Sequence, residues 1–266
     1  MVKILYHANC LDGFGAAFAA WKRFGDSATY TPVEYDRTPP DDLAGHEVYI
    51  LDFAYPRDVL EALHTVCAKL VVIDHHKTAQ EALAGLEYAH FDMRHSGAVL
   101  TWRYFHPHTP VPELLLHIED RDLWKFLMPK TKEVSAAMYG CVPFQFEDWD
   151  ELLEIPYLLT VKGGALLKAH NNEVQTLLKY AHPISLKGVS GLACNVPSKY
   201  SSDVGHELAV KSGSFGLSYY YGGQGLWFCS LRSNGDNDIS WIAKSFGGGG
   251  HKNAAGFSVK NLEELC

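Results

Sequence analysis

The sequence lacks long apolar runs and paired cysteines. No stretch approaches the ~20 consecutive apolar residues of a membrane-spanning helix, and the first residues do not form the apolar segment of a secretory signal. No C-x-x-C pair occurs among the six cysteines, which are Cys10, Cys67, Cys141, Cys194, Cys229 and Cys266. This spacing argues against a structural zinc site and against a disulfide framework. We therefore expect a cytoplasmic protein with reduced thiols and no membrane partner.

Positive charge is scarce as well. The 266 residues include 23 Lys or Arg and 31 Asp or Glu, which gives a net charge of -8. This balance disfavours a protein that tracks duplex nucleic acid through a basic surface, and a small phosphorylated partner fits it better. A content of 47% hydrophobic and 20% charged residues is typical of a soluble globular chain.

The first part of the sequence alternates short apolar strands with helical patterns. The predicted elements are strands 2–6, 29–35, 48–51 and 70–73 and helices 14–23, 57–67 and 96–105. This alternation predicts a parallel α/β sheet with right-handed crossovers. Between residues 130 and 155 the pattern is too weak to predict individual elements.

A long helical stretch precedes a second region with its own strands and helices. The predicted elements there are strands 190–195, 215–221 and 226–232 and helices 203–211 and 239–246. The predicted fold class is α/β, with an N-terminal parallel-sheet domain joined by a long helix to a smaller α/β domain. We assign residues 1–162 to the first domain, 163–182 to the connecting helix and 183–266 to the second domain.

Polar side chains follow three of the predicted strands in the first domain. In chain order they are His7, Asp12, Asp52, Asp74, His75 and His76. Ligands of open parallel sheets bind outside the carboxyl ends of the strands, so these side chains should gather at one edge. Carboxylate and imidazole ligands together suit Mn(II) or a similar ion, and their number indicates two ions.

Each of these residues also has an ordinary interpretation. An Asp-His-His triplet occurs in loops whose hydrogen bonds are all satisfied, and a lone carboxylate after a strand, such as Asp52, is often a helix N-cap. The cluster Glu119-Asp120-Arg121-Asp122 is either a solvated helix end or a further supplier of metal ligands.

A glycine-rich motif at residues 247–253 is the second candidate site. Its four glycines let the backbone approach an anion closely, and the following His-Lys-Asn supplies donors. The alternative is a flexible linker, although the next residues, Ala-Ala-Gly, favour tight packing. Arg232 is either a second phosphate-binding residue or half of a surface ion pair. The nearby aromatic residues Tyr219, Tyr220, Tyr221, Trp227 and Phe228 either stack on a base or pack the small core.

With these motifs the sequence resembles the DHH phosphoesterase family, in particular members with the DHH-associated C-terminal domain. The resemblance is carried by Asp74-His75-His76 after an apolar strand, by the upstream Asp52, and by the turn that begins at His7. It is also carried by the Gly-Gly-Gly-His-x-x-Ala-Ala-Gly-Phe signature at 248–257. The signatures stand in the expected order, so the resemblance covers essentially the whole chain.

The resemblance implies two Mn(II) ions, with Mg or Co as alternatives, in a cleft between the two domains. The residues that match metal ligands are His7, Asp12, Asp52, Asp74, His75 and Asp120, with Asp122 as the competitor of Asp120. The catalytic positions match Asp74, His76 and His251. The substrate-binding positions match Arg232, Gly248, Gly249, Gly250, His251 and Asn253.

The first motif departs from the family pattern. The family places two carboxylates there, whereas Asn9-Cys10-Leu11-Asp12-Gly13 keeps only Asp12. Cys10 stands two positions before Asp12, where the missing aspartate is expected, and Asn9 could coordinate through its carbonyl oxygen. The loss of one anionic ligand should weaken one of the two metal sites.

The implied activity is that of a phosphodiesterase which cleaves short oligonucleotides or small nucleotides to nucleoside monophosphates, using a water that Mn(II) activates. Candidate substrates are di- to tetranucleotides, linear or cyclic dinucleotides and nucleoside bisphosphates. Inorganic polyphosphate is the main alternative substrate. A catalytically weak nucleotide-binding sensor is the alternative from another class of protein. The sequence leaves the oligomeric state open.

Overall fold

The computed structural model describes residues 1–34, 37–223 and 225–265. The last residue of the predicted strand 29–35, Tyr35, lies outside this part of the chain, as do Gln224 and Cys266. The chain forms two compact units, Met1–Lys168 and Ala169–Cys266. Within the described part, no helix combines the length and the apolar character needed to cross a membrane.

The first unit contains a parallel sheet and the helices that cover it. Its strands are β1 (Val2–His7), β2 (Ala28–Val33), β3 (Glu47–Leu51), β4 (Lys69–Asp74) and β5 (Ala89–Phe91). Its helices are α1 (Leu11–Phe24), α2 (Arg57–Val66), α3 (Lys77–Ala82), α4 (Gly97–Phe105), α5 (Glu113–Asp122), α6 (Thr131–Cys141) and α7 (Phe146–Leu152). Helix α8 (Thr160–Leu177) contains the point where the chain passes into the second unit.

The five strands pair in the order β2-β1-β3-β4-β5, and every pair is parallel. The central strands β3 and β4 are buried along almost their whole length, as expected for apolar runs that are covered on both faces. Leu5, Val48 and Ile50 pack into one buried cluster, whereas Ile4, Tyr49 and Leu51 pack into another. This alternation confirms the predicted parallel α/β sheet.

The second unit contains a mixed sheet of six strands. They are β6 (His182–Leu186), β7 (Val189–Asn195), β8 (Phe215–Gly223), β9 (Leu226–Ser233), β10 (Gly249–His251) and β11 (Ala254–Val259). Their order is β10-β11-β9-β8-β7-β6, in which only β7 and β8 pair in parallel. The helices of this unit, after the end of α8, are α9 (Ser201–Ser212) and α10 (Ser240–Ser245).

The structure adds elements that the sequence pattern did not predict. Helices α6 and α7 lie in the region of weak periodicity, and strands β6, β10 and β11 were not predicted at all. The glycine motif is the most informative difference, because it forms a strand pairing rather than an open loop: Gly249 pairs with Gly256, and His251 pairs with Ala254.

Candidate metal centre

The carboxyl ends of three neighbouring strands carry the polar side chains of the first unit. Strand β1 ends at His7, β4 ends at Asp74, and Asp52 follows β3 directly. The backbone N–H of Asp52 donates to the carbonyl oxygen of Ile73 at 2.9 Å, which joins the ends of β3 and β4. Because the strands are parallel and adjacent, their ends lie at the same edge of the sheet.

Asp52 lies between two imidazoles. Its Oδ2 is 3.5 Å from Nδ1 of His7, and its Oδ1 is 3.2 Å from Nε2 of His75. The Asp52 backbone is left-handed, with φ of 63°, a conformation that Asp and Asn adopt more readily than most other residues. The carboxylate is buried, so its two oxygens face two different sides of one enclosed site.

The first turn of helix α4 packs directly against the side chain of Asp52. A Cβ atom added to Gly97 would lie 2.6 Å from both Cβ and Oδ1 of Asp52, closer than side-chain atoms pack. Gly97 therefore permits the first turn of α4 to lie directly against the carboxylate. Ser96 caps this helix by accepting a hydrogen bond from the N–H of Val99, as the predicted helix 96–105 requires.

The same helix terminus holds Asp12. The N–H of Gly97 donates to Oδ2 of Asp12 at 2.6 Å, and the N–H of Ala98 donates to Oδ1 at 3.0 Å. These are N–H groups that a helix N-terminus leaves without an intrahelical partner, and they stabilise a buried negative charge. Oδ2 of Asp12 also lies 3.5 Å from Nε2 of His75.

Asp74 organises the two histidines that follow it. Its Oδ1 accepts hydrogen bonds from the backbone N–H groups of His75 at 2.7 Å and His76 at 3.3 Å. The same oxygen lies 2.7 Å from Nδ1 of His76. This carboxylate–imidazole contact fixes the orientation of the His76 ring.

The structure brings Asp122, and not Asp120, to this centre. Oδ2 of Asp122 is 3.6 Å from Nε2 of His75. The carboxylate of Asp120 instead accepts hydrogen bonds from the N–H of Leu127, the N–H of Met128 and Oγ1 of Thr131, at 2.8, 3.0 and 2.6 Å. These bonds hold the segment between α5 and α6 and use both oxygens of Asp120, the residue that the motif position indicated as a ligand.

The carboxylates that meet at this centre shift the pKa values of the groups around them. Burial, and then the charges of Asp52 and Asp122, raise the pKa of Asp12 well above its usual value. Burial alone would lower the pKa of His75, but its close contact with the Asp52 carboxylate and the charges of Asp122 and Asp12 raise it to about 11. Burial and the same three carboxylates raise the pKa of the Cys10 thiol. A cation at this place would compensate the negative charge that the protein gathers there.

Two buried carboxylate oxygens have no hydrogen-bond partner among the described residues. They are Oδ1 of Asp52 and Oδ2 of Asp74. A buried carboxylate oxygen without a donor is costly, and coordination of a metal ion is one of the few arrangements that satisfies it. The residues present therefore fit the divalent ions that the sequence motifs indicated.

Within the first unit, three sets of side chains have their ligand atoms close enough to share an ion. Within each set every ligand atom lies within 4.8 Å of the others, and the sets are Asp52-Asp74-His75-His76, Asp12-His75-Asp122 and His7-Cys10-Asp52. Asp52 and His75 each belong to two sets. Of the predicted ligands, His7, Asp12, Asp52, Asp74 and His75 are brought together, and Asp122 and Cys10 join them.

In the second unit, Arg232 lies on the face of the sheet against helix α9. Its Nη2 donates to Oγ of Ser202 at 2.8 Å, and its Nη1 donates to the carbonyl oxygen of Leu231. Tyr220 of β8 and Phe228 of β9 pair directly and stack, with ring centroids 5.7 Å apart. Residues two apart along a strand share a face, so Phe228 and Arg232 lie on the same side of the sheet.

Tyr219 and Trp227 lie on the opposite face of this sheet. Both pack against the buried core of the second unit, and their ring centroids are 6.1 Å apart. The predicted aromatic cluster is therefore divided between the two faces. Only the pair Tyr220 and Phe228 shares the face of the arginine.

The glycine motif has a packing explanation in the structure. A Cβ atom on Gly248 would lie 2.1 Å from the carbonyl oxygen of Gly256, and one on Gly250 would lie 2.5 Å from that of Ala254. Gly250 also has a φ of 137°. Both positions therefore require glycine for the pairing of β10 with β11, whatever ligand they contact. His251 is the last residue of β10.

Asn253 is occupied by the turn that follows β9. Its side-chain Nδ2 donates to Oγ of Ser233 at 2.9 Å and to the carbonyl oxygens of Gly235 and Asn237, each at 3.2 Å. Its own carbonyl oxygen accepts from the N–H of Ser233. These bonds hold the turn and use the side-chain N–H donors of Asn253, the residue that the signature indicated as substrate-binding.

The sequence and the fold were compared with those of known proteins. No family model matches the sequence. Uncharacterized protein R106 of Acanthamoeba polyphaga mimivirus is 31% identical over an alignment of 290 residues that covers 98% of this chain and 68% of that protein.

Solved structures with a similar fold carry DHH domains. The DHH domain of a member of the s1p family of ribosomal proteins matches 99% of this chain and 84% of its own, with a TM-score of 0.61 and 15% identity. RecJ of Thermus thermophilus, solved in complex with Mn²⁺, matches 99% of this chain and 50% of its own, with a TM-score of 0.53 and 13% identity. An exopolyphosphatase-related protein of Bacteroides fragilis matches 99% of this chain and 88% of its own, with a TM-score of 0.50 and 13% identity. At these identities the likeness concerns the fold.

Proposed function

This chain belongs to the DHH phosphoesterase family, and we propose that it is a metal-dependent phosphodiesterase. Its proposed substrates are short oligonucleotides or small nucleotides, which it hydrolyses to nucleoside monophosphates. One observation carries the proposal: strand ends far apart in the sequence place buried carboxylates around His75, and two of their oxygens lack a hydrogen-bond partner among the described residues.

The ligands of the proposed metal ions are Asp12, Asp52, Asp74, His75 and Asp122. Their carboxylate oxygens and imidazole nitrogen suit Mn(II), the ion named for the RecJ structure. When bound, such ions neutralise charge on phosphoryl oxygens and lower the pKa of water. Helix α4 donates two backbone hydrogen bonds to Asp12, and these favour its ionised form against the burial and nearby charges that raise its pKa.

His76 is the proposed proton carrier. The contact between its Nδ1 and Oδ1 of Asp74 sets the tautomer in which Nδ1 carries a proton, so Nε2 is the atom that exchanges a proton with the substrate. Asp74 thus has two roles in the proposal, one through each oxygen. Oδ1 orients His76, and Oδ2, which has no hydrogen-bond partner among the described residues, would hold the metal ion.

In the second unit, the proposed phosphate-binding groups are Arg232, the backbone of Gly248–Gly250 and His251. The guanidinium of Arg232 is oriented by Ser202 and by the carbonyl oxygen of Leu231. A guanidinium has a planar set of donors that matches phosphate oxygens, and these two hydrogen bonds fix the direction of that plane.

The aromatic pair on the arginine face favours a nucleotide over inorganic polyphosphate. Tyr220 and Phe228 stack on one another on the side of the sheet that carries Arg232, and both are partly exposed. Stacking of a base on an aromatic ring contributes about 1–3 kcal/mol and tolerates any base. Polyphosphate has no ring to stack, so these two aromatic rings would contribute little to its binding.

A hydrolysis screen tests the proposal. The purified chain, stripped of metal and reloaded with Mn(II), is given a 5′-phosphorylated dinucleotide, a cyclic dinucleotide, a nucleoside bisphosphate and inorganic polyphosphate. We expect mononucleotide release from one of the first three, and loss of this activity in Asp74→Ala with the circular dichroism spectrum preserved. Full activity of Asp74→Ala would refute the assignment.

The same screen separates the alternatives. Release of phosphate from polyphosphate alone would identify a phosphoanhydride hydrolase. Nucleotide binding with no turnover of any substrate would identify a sensor. Phe228→Leu adds a finer test, because it should weaken binding of a dinucleotide by roughly tenfold while leaving hydrolysis of polyphosphate unchanged.

A further inference from the structure

Cys10 occupies a defined place at the edge of the metal centre. It is the residue before helix α1, with extended backbone angles of φ -129° and ψ 139°. The preceding Asn9 has a left-handed backbone with φ of 57°, and this turn directs Cys10 back towards the end of β1. As a result Sγ of Cys10 and one ligand atom each of His7 and Asp52 lie within 4.8 Å of one another.

This environment differs from that of other thiols in the chain. The thiols of Cys67, Cys141 and Cys194 donate to backbone carbonyl oxygens at 3.6, 3.2 and 3.3 Å. The sulfur of Cys10 instead faces an imidazole and a carboxylate, which are groups that bind metal ions alongside thiolate.

Asp52 supplies an independent indication of a second ion. Its Oδ2 faces His7 and its Oδ1 faces His75, so the two oxygens belong to two different sets of ligands. Oδ1 is buried without a hydrogen-bond partner among the described residues. A carboxylate placed in this way would be shared by two neighbouring cation positions.

The two positions differ in ligand chemistry. Asp12, His75 and Asp122 offer oxygen and nitrogen, which suit Mn(II) or Mg(II). His7, Cys10 and Asp52 offer nitrogen, sulfur and oxygen, and a thiolate favours Zn(II) or Co(II) over Mn(II).

We propose that Cys10 is a metal ligand and that it makes the His7-Cys10-Asp52 position selective for Zn(II) or Co(II). The inference builds on the proposed function, because it concerns the same centre. On binding, the thiol of Cys10 releases its proton to solvent and a sulfur–metal bond forms, with no change in oxidation state. Cys10 then replaces, with a different metal preference, the carboxylate that the first motif lacks.

Cobalt spectroscopy tests the proposal without any substrate. The metal-stripped full chain is titrated with Co(II), and the near-ultraviolet thiolate-to-cobalt charge-transfer band is recorded together with the visible cobalt bands. We expect the charge-transfer band in the native protein and in the control Cys67→Ser. It should be absent from both Cys10→Ser and Cys10→Asp, while Cys10→Asp keeps the visible bands of bound cobalt.

Competition then measures selectivity. Zn(II) should displace the charge-transfer band at lower concentration than Mn(II), and Cys10→Asp should reduce the preference for Zn(II) over Mn(II) by at least about tenfold. A charge-transfer band that persists in Cys10→Ser, or visible cobalt bands without it in the native protein, would overturn the proposal. A protein that shows the band yet hydrolyses nothing would support this inference while refuting the proposed phosphodiesterase.

Discussion

The strand-end edge of the first unit and the β10–β11 hairpin of the second unit both carry motif residues, but they use their polar groups differently. At the edge, Asp52 and Asp74 each keep one buried oxygen without a hydrogen-bond partner among the described residues. In the hairpin, the side-chain Nδ2 of Asn253 donates to Ser233, Gly235 and Asn237 in the turn that follows β9, and Gly248 is required by close backbone packing.

This difference separates residues that are held for a ligand from residues that hold the fold. A buried polar atom without a partner reduces stability, so it persists where a ligand or ion satisfies it. A side chain whose N–H donors are all used within the fold has little left to offer a substrate. Substitutions at the edge should therefore change metal binding and activity, whereas substitutions in the hairpin turn should change stability.

The largest effect is expected from Asp52→Asn. Asparagine tolerates the left-handed backbone of this position, so the fold should be preserved while one of the two oxygens is lost. We expect metal-dependent kcat/KM to fall by at least about 100-fold. Steady-state hydrolysis and metal content per chain measure this. Asp42→Asn, which alters only an exposed ion pair with Lys3, is the control, and an equal loss there would discredit the result.

Asp122→Asn and Asp120→Asn form a matched pair from the same helix. Asp122→Asn should weaken metal binding by roughly 10–100-fold with little change in stability. Asp120→Asn should leave metal affinity unchanged and lower the free energy of unfolding by about 1–3 kcal/mol, because three hydrogen bonds are disturbed. Calorimetric titration with Mn(II) and urea denaturation measure the two quantities. The opposite assignment of effects would restore Asp120 as the ligand.

Arg232→Gln tests whether the second unit also contains a residue that is held for a ligand and not only for the fold. Loss of the guanidinium should raise KM about tenfold, equivalent to about 1.4 kcal/mol of binding, while kcat stays nearly constant. Full progress curves at saturating Mn(II) provide both parameters. Arg94→Gln removes an exposed arginine paired with Asp92 and should change neither one. An unchanged KM in Arg232→Gln would leave the arginine a structural partner of Ser202.

The smallest effect on activity is expected from Asn253→Ala. Loss of its side-chain hydrogen bonds should lower the free energy of unfolding by about 1–2 kcal/mol and leave KM within about twofold of the native value. Urea denaturation and the same kinetic assay are sufficient. A tenfold rise in KM with native stability would show that this residue contacts substrate, and the distinction between the two regions would fail there.

Much of the first unit was predictable because its signals are local. Apolar runs that end at Asp74, or just before Asp52, mark buried strands and their carboxyl ends, and parallel pairing then brings these ends to one edge. The N-cap at Ser96 was predictable for the same reason. The binding of Asp12 by this helix terminus was not predictable, because the contact joins residues far apart in the sequence.

The choice between Asp120 and Asp122 depends on which side of helix α5 each side chain points to, and the motif does not encode this. Residues two apart on a helix point about 200° apart, so only one of them faces His75. The hairpin β10–β11 escaped prediction for another reason. Glycine and alanine carry almost no strand signal, and these strands form only because β9 offers a partner for β11.

The missing methyl group at position 97 has a practical consequence for comparing homologues. Any residue larger than glycine at position 97 would displace the carboxylate of Asp52. The residue found there therefore indicates whether Asp52 keeps the same position. Relatives that carry alanine or serine at the equivalent position, yet retain the Asp-His-His triplet, would make instructive natural variants. In them the first turn of the helix must have shifted, or the carboxylate of Asp52 must have changed its rotamer.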